Sequence, residues 1–261
     1  MIHETAIIDP QAEIAPDVSI GPYAIIDGPV KIGAGSKIHA HAHISGHTTL
    51  GRNCEIHPHA VVGNTPQDHS YEGGESYLVV GDDTQIREFV SIHRGAAPGT
   101  STSIGSGCMI MAKAHVAHNC VVGDGVVLTN GVELGGHAQI GKHALIAAHA
   151  MVHQFARVGR RSMCVGTALI MRDVPPFCVT DYKGGLVKVN VVGLQREGFS
   201  KETTREIKNA FKVLYRSDEP FSIAVEQLKA MDNCPEVEEI LEFIANPSKC
   251  GIAGRSRSTL E

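Results

Sequence analysis

A branched aliphatic residue recurs at every sixth position through the first two-thirds of the chain. From Ile2 the column runs Ile8, Ile14, Ile20, Ile26, Ile32, Ile38, Ile44, Leu50, Ile56 and Val62. It resumes at Val80, Ile86 and Ile92, then continues from Ile104 to Ile170 with one lapse, Cys164. Of the 29 positions in this phase from 2 to 170, 25 are Ile, Leu or Val, far beyond what their abundance in the chain would place there. The remaining lapses are Asp68, Gly74 and Pro98.

A second column lies two residues before each anchor and holds small side chains, among them Ala24, Ala42, Cys54, Ala60, Cys108, Ala114, Cys120, Ala138, Ala150 and Ala168. Residues two apart on a strand point to the same face. Each hexad therefore turns one branched aliphatic and one small residue inward. Three such short strands close a triangular coil of about 18 residues, and stacked coils predict a parallel β-helix with a thin aliphatic core. Six is not a helical period, and Gly and β-branched residues abound, so helices fit this region poorly. Gly often follows the anchor, as at Gly21, Gly33, Gly51, Gly81, Gly105, Gly123, Gly141 and Gly159, which predicts tight corners there.

Two segments, 63–79 and 93–103, leave the pattern but keep its phase. They are rich in Gly, Ser, Thr and Pro and are expected to project from the prism as loops. After Pro175-Pro176 the hexads end. Ser200 is a plausible helix N-cap, followed by apolar faces at Ile207–Tyr215, Phe221–Leu228 and Val237–Ile244. The chain thus divides into a β-helix over 1–189 and a C-terminal helical domain over 190–261 that covers the last coil. The final GIAGRSRSTLE is expected to be disordered.

Composition fits this picture. Aromatics make up 5% and Trp is absent, as a narrow prism requires. The formal net charge of −5 does not suggest a nucleic-acid binder. No apolar run approaches the roughly 20 residues that span a bilayer, so no membrane insertion is expected. No secretory signal is evident, and seven cysteines at scattered spacings read as reduced thiols, which points to the cytoplasm. Arg196, Lys201, Arg205, Lys208, Lys212 and Arg216 make the first helical region basic on an acidic chain. That is either a solvated face or a dock for an acidic partner.

All 15 histidines lie between His3 and His153, and none falls on an inward column. They are expected on the outer flats, exposed or packed between copies of the prism. The pairs His115/His118 and His43/His47 have metal-like spacing only on a helix; across a strand corner they diverge, and no metal is expected.

Read together with the hexads, several motifs carry a resemblance over essentially the whole chain. They are PQD (66–68), IREFVSIHRG (86–95), AHVAHNC (114–120), GGH (135–137), HQF (153–155), DVPPF (173–177) and VNVVGLQREGFS (189–200). With these the chain resembles the cytoplasmic UDP-N-acetylglucosamine O-acyltransferases that begin lipid A synthesis. The resemblance implies a homotrimer of left-handed β-helices with sites in grooves between neighbours. It implies transfer of a 3-hydroxyacyl group from acyl carrier protein to the sugar 3-position of UDP-N-acetylglucosamine. No cofactor is implied beyond the carrier's phosphopantetheine thioester as co-substrate. It assigns His118 as general base and Gly136 as oxyanion donor. Asp68, His93, His115, His137, His153 and Gln154 match residues lining the sugar and acyl-pantetheine groove. Asn190 and Arg196 match positions near the nucleotide and carrier, and Gly166 the position that limits acyl length.

Elementary chemistry agrees. A thioester is already activated, and a sugar hydroxyl needs chiefly a base near neutral pH. Gly136 lies 18 residues, one coil, beyond His118, so its N–H falls one rung from the base. No nucleophilic Ser or Cys is required. The sequence departs from the family pattern at Asn119, where Asp is frequent, at Ser70, where many relatives have Lys, and at Val192 and Glu197. These departures leave a 3-amino acceptor open beside the hydroxyl. Two readings of another class also stand: a trimeric zinc hydro-lyase like the γ-type carbonic anhydrases, and a non-catalytic solenoid that binds a carrier or surface.

Overall fold

The computed structural model describes residues 1–256; the last five residues of the tail, 257–261, lie outside the described residues. The hexads wind into a three-sided prism. Its faces are parallel sheets of nine, eight and ten strands, the last ending in one antiparallel strand, and the chain visits them in that order. Most strands are two residues long, and successive coils pair 18 positions apart, as in Ile7↔Ile25 and Ile110↔Leu128. Between Ile20 and Ile170 the anchors are almost fully buried, and Cys164, the apparent lapse, is buried in the same column. Each such aliphatic contributes on the order of 1.5–3 kcal/mol by leaving water. The first coil is less well covered: Ile2 is 51% exposed.

The corners differ from expectation. The left-handed residue comes three positions after the anchor, not one. Tyr23, His41, Asn53, His59, Phe89, Asn119, His137, His143, His149 and Arg161 all sit there at positive φ. The glycines directly after the anchors serve another purpose. A Cβ on Gly33 would lie 2.5 Å from the Gly51 carbonyl oxygen, so only Gly lets neighbouring coils approach. Five of the histidines therefore turn corners instead of lying on the flats, and His93 is buried.

The loops are shorter than the sequence pattern predicts. Strands Val61–Asn64 and Tyr77–Val80 take up the ends of the first, leaving 65–76, and Ser91–His93 and Ser101–Ile104 leave 94–100 of the second. Across these insertions Leu50 pairs with Val80 and Val80 with Ile104, thirty and twenty-four positions apart instead of eighteen. Each insertion is a multiple of six, so the inward columns survive. Both loops leave the corner between the nine- and eight-stranded sheets.

The helical part holds α1 (Val191–Arg196), α2 (Lys201–Arg216), α3 (Phe221–Lys229) and α4 (Pro235–Ala245). The three expected helices are α2 to α4, and Ser200 caps α2 by accepting from the Thr203 N–H at 2.9 Å. The short α1 was not anticipated. Ile207, Ala210, Phe211, Leu214 and Tyr215 bury one face of α2, which packs on strand Leu186–Val189. Arg160 pairs with Glu239 of α4 at 2.8 Å, tying that helix to the eight-stranded face. The expectation of a disordered tail fails over 251–256: Ile252 bridges to Asp173 and Arg255 to Leu186.

Candidate functional site at a prism corner

The corner that releases both loops also gathers most of the singled-out histidines. His115 ends up on the nine-stranded sheet, and His118 and Asn119 turn the corner after it. The Asn119 amide is held in one orientation. The Ala96 backbone N–H, which can only donate, points at its Oδ1 at 3.0 Å. That oxygen also lies 2.9 Å from His118 Nδ1, so Nδ1 carries the proton and Nε2 presents its lone pair. Asn119 thus orients the ring without a charge.

His118 Nε2 faces two groups. One is Gly136, directly one coil on, where an added Cβ would stand 2.7 Å from Nε2. The other is Asp68, whose Oδ2 lies 3.5 Å away across the loop 65–76. Ser70 grips the same carboxylate, its N–H and hydroxyl both donating to Oδ1 at 2.9 and 2.8 Å. These two hydrogen bonds, more than the nearby histidines, hold the Asp68 carboxyl below its usual range. Arg94 braces the loop, donating to the Gly63 carbonyl and the Tyr71 hydroxyl at 3.0 Å each.

Burial disfavours the charged form of three flanking histidines. Burial, reinforced by His93, pushes the His115 ring down to about 4, and its Nδ1 lies 2.8 Å from the Ser91 hydroxyl. Burial also lowers His93, whose Nδ1 bonds the Thr65 carbonyl, and His137, which stands edge-on to His118 at 5.3 Å. His153 and Gln154 extend the corner by another coil and are exposed. His153 Nδ1 meets the Gln154 carbonyl at 2.9 Å. His137 stacks on Phe155, over which Lys249 Nζ sits at 3.8 Å; that lysine had no signal in the sequence pattern.

The structure does not bring the other expected residues to this corner. Gly166 lies at the corner from the ten- to the nine-stranded sheet. Asn190 and Arg196 border a cavity of about 610 Å³ on the ten-stranded face, with Leu145, Met163, Val179 and Arg161. The Asn190 side chain is committed within the fold: its Oδ1 caps α1 at Gly193 and its Nδ2 donates to the Arg161 carbonyl at 2.8 Å. Glu197 pairs with Arg161 and lies 3.8 Å from His143, so this departure from the family pattern braces the cavity wall. Neither His115/His118 nor His43/His47 belongs to a set of three potential metal ligands. Among the described residues that grouping occurs at His39, Glu55 and His57. The thiols in the small-residue column are buried and protonated; burial pushes Cys120 up to about 12.

A three-sided prism wound from hexads places the chain among the hexapeptide-repeat proteins. The profile described as bacterial transferase hexapeptide (six repeats) matches residues 29–64 and 101–136. The profile described as UDP N-acetylglucosamine O-acyltransferase, domain 2, matches 173–253. Relatives named acyl-(acyl-carrier-protein)–UDP-N-acetylglucosamine O-acyltransferase include one from Anaeromyxobacter dehalogenans strain 2CP-1. It is 44% identical over 246 residues, 93% of this chain and 96% of its own. Another, from Myxococcus xanthus, is 43% identical over 254 residues, 96% and 98% of the two chains. Among solved structures, LpxA from Acinetobacter baumannii superposes with a TM-score of 0.91 at 38% identity, covering 97% of this chain and 99% of that one. LpxA from Bacteroides fragilis, a UDP-N-acetylglucosamine acyltransferase, gives 0.93 at 37% identity with the same coverage. The chain belongs to the UDP-N-acetylglucosamine O-acyltransferase family, and its coil is the left-handed β-helix with a C-terminal helical domain.

Proposed function

We propose that this chain transfers a 3-hydroxyacyl group from acyl carrier protein to the 3-hydroxyl of UDP-N-acetylglucosamine, the first step of lipid A biosynthesis, as a cytoplasmic homotrimer. The observation that carries the mechanism is the orientation of His118: Nδ1 bound to the Asn119 carbonyl, Nε2 open toward Gly136 and Asp68. Nε2 takes the proton of the sugar hydroxyl as that oxygen attacks the thioester carbon. A base so placed contributes about 10²–10⁴ in rate. The Gly136 N–H, which has no backbone acceptor among the described residues, supports assigning it to the oxyanion, a role worth about 10²–10³. Collapse of the tetrahedral intermediate expels the phosphopantetheine thiolate, which recovers the proton from His118. Attack is direct, since the nearby thiol of Cys120 is buried and protonated.

Asp68, kept ionised by Ser70, is suited to accept from sugar hydroxyls once these displace the His118 ring from it. His115, His93 and His137, whose burial disfavours their charged form, line the groove and so add little repulsion to a protonated His118. His153 and Gln154 continue it toward the pantetheine. The cavity at Asn190 and Arg196 takes the nucleotide, and Gly166 leaves room for the acyl chain. The basic residues of α2 suit an acidic carrier protein. No helix among the described residues is long and apolar enough to cross a membrane, in line with a carrier-bound substrate met in solution.

The test is steady-state transfer with purified acyl carrier protein, with mass spectrometry of the product. His118→Ala is expected to lower kcat by at least about 10²-fold while the protein stays folded. Near-normal turnover, or preferential acylation of the 3-amino nucleotide sugar, rejects the assignment as stated.

A further inference from the structure

Far from the transfer corner, on the N-terminal half of the ten-stranded face, three potential ligands converge. His39 and His57 each follow a strand of that sheet, Lys37–Ile38 and Glu55–Ile56, which pair in register. The His39 N–H bonds the Ile56 carbonyl at 2.8 Å, so the backbone holds the two rings one coil apart. They stack at 4.9 Å. Glu55 reaches between them: its Oε1 accepts from the His39 Nε2–H at 2.8 Å, a proton that a bound cation would displace, and lies 3.9 Å from His57 Nε2. All three ligand atoms fall within 4.8 Å of one another.

Two further observations point to a bound ion. His57 Nε2 is buried and has no hydrogen-bond partner among the described residues. A buried polar atom left this way is costly, and such atoms are rare unless something satisfies them. On the other side of the same ring, Glu88 stands 3.5 Å from Nδ1 and is itself gripped by Arg87 at 2.9 Å. A carboxylate behind a histidine fixes the proton on the near nitrogen and turns the lone pair of the far one outward. That is the usual support of a metal-ligating imidazole.

We propose that His39 Nε2, Glu55 Oε1 and His57 Nε2 bind one divalent transition metal of the zinc class, clipping two successive coils together. Two imidazoles and a carboxylate are the donor set such ions accept. Tetrahedral ligation at about 2.0–2.2 Å places ligand atoms roughly 3.3–3.6 Å apart, between the spacings observed here, so side-chain shifts of under about 1 Å suffice. Glu55 and His39 remain partly exposed, which leaves the fourth position to water. The site shares no residue with the transfer corner and stands independently of the proposed reaction.

The experiment is titration of the metal-free, full-length protein with Zn²⁺ against a chromophoric chelator, with thermal melts in parallel. One zinc per chain is expected, raising the melting temperature, and His118→Ala should retain it. His39→Asn and His57→Asn should each weaken binding about tenfold or more and abolish the thermal shift, while Glu88→Gln should weaken it about tenfold with stoichiometry kept. His39 is the more exposed ring, so its variant keeps the test open should His57→Asn fail to fold. The proposal falls if the protein takes up no zinc from the chelator, if His39→Asn binds as tightly as the parent, or if the zinc is lost with His118.

Discussion

At the scale of single residues, the proposed transfer corner depends on what surrounds one imidazole. His118 is aimed by a neutral amide, and the amide is aimed by a backbone N–H that reaches it from the second loop. Asn119 therefore supplies direction without a charge. Gly136 matters for space as much as for its N–H. A methyl group there would stand 2.7 Å from Nε2, inside contact distance, and the ring would have to tip away from the acceptor. Gly136→Ala is expected to lower kcat by about 10–10², since misplacing a catalytic group by about 1 Å costs on that order. KM should stay near the parent value, because the backbone donor and the groove remain. Unchanged kcat in a steady-state assay would show that nothing at Gly136 constrains the base.

At the scale of elements, the prism was legible in the sequence because its core repeats a simple instruction. Ile110, Leu128 and Ile146 announce their stacking by spacing alone, and a coil of eighteen residues is what places Gly136 beside His118. The helical faces at Ile207–Tyr215 and Val237–Ile244 were legible for the same reason. What escaped has no period. Left-handed conformations at His41, His59 and His149 are set by coil closure, not by any preference of histidine strong enough to read. Helix α1 is shorter than two turns, too short to show a face. The approach of Asp68 depends on loop 65–76, whose shape follows from Arg94 and Tyr71, residues that spacing does not single out. The two kinds of glycine make this distinction measurable. Gly33→Ala sets a Cβ against the Gly51 carbonyl and should cost about 1–3 kcal/mol of stability, as overpacking does. Gly107→Asn, at a left-handed corner with open space around it, should cost less than about 1 kcal/mol. Equal losses in denaturant unfolding would contradict this assignment of roles.

At the scale of the whole molecule, one chain does not assemble the proposed site. His118, Gly136 and Gln154 occupy the corner between the nine- and eight-stranded sheets, whereas the cavity at Asn190 and Arg196 opens on the ten-stranded sheet. These sheets are different sides of a rigid prism, and the aliphatic core between them admits no rearrangement that would bring the two groups onto one surface. A substrate touching both must lie between two copies, with the corner of one chain facing the cavity of its neighbour. In a closed ring of identical chains every interface is then the same, and each carries one complete site. The arrangement makes a quantitative demand. Chains carrying His118→Ala and chains carrying Arg196→Ala should each be impaired alone. Denatured together in equal amounts and refolded as mixed rings, they should regain about one quarter of parental activity, because one in four interfaces joins an intact corner to an intact cavity. Mixing without refolding should recover nothing until subunits exchange. A site contained within one chain gives no recovery under either procedure, and that result would dismantle the shared-site reading while leaving the fold untouched.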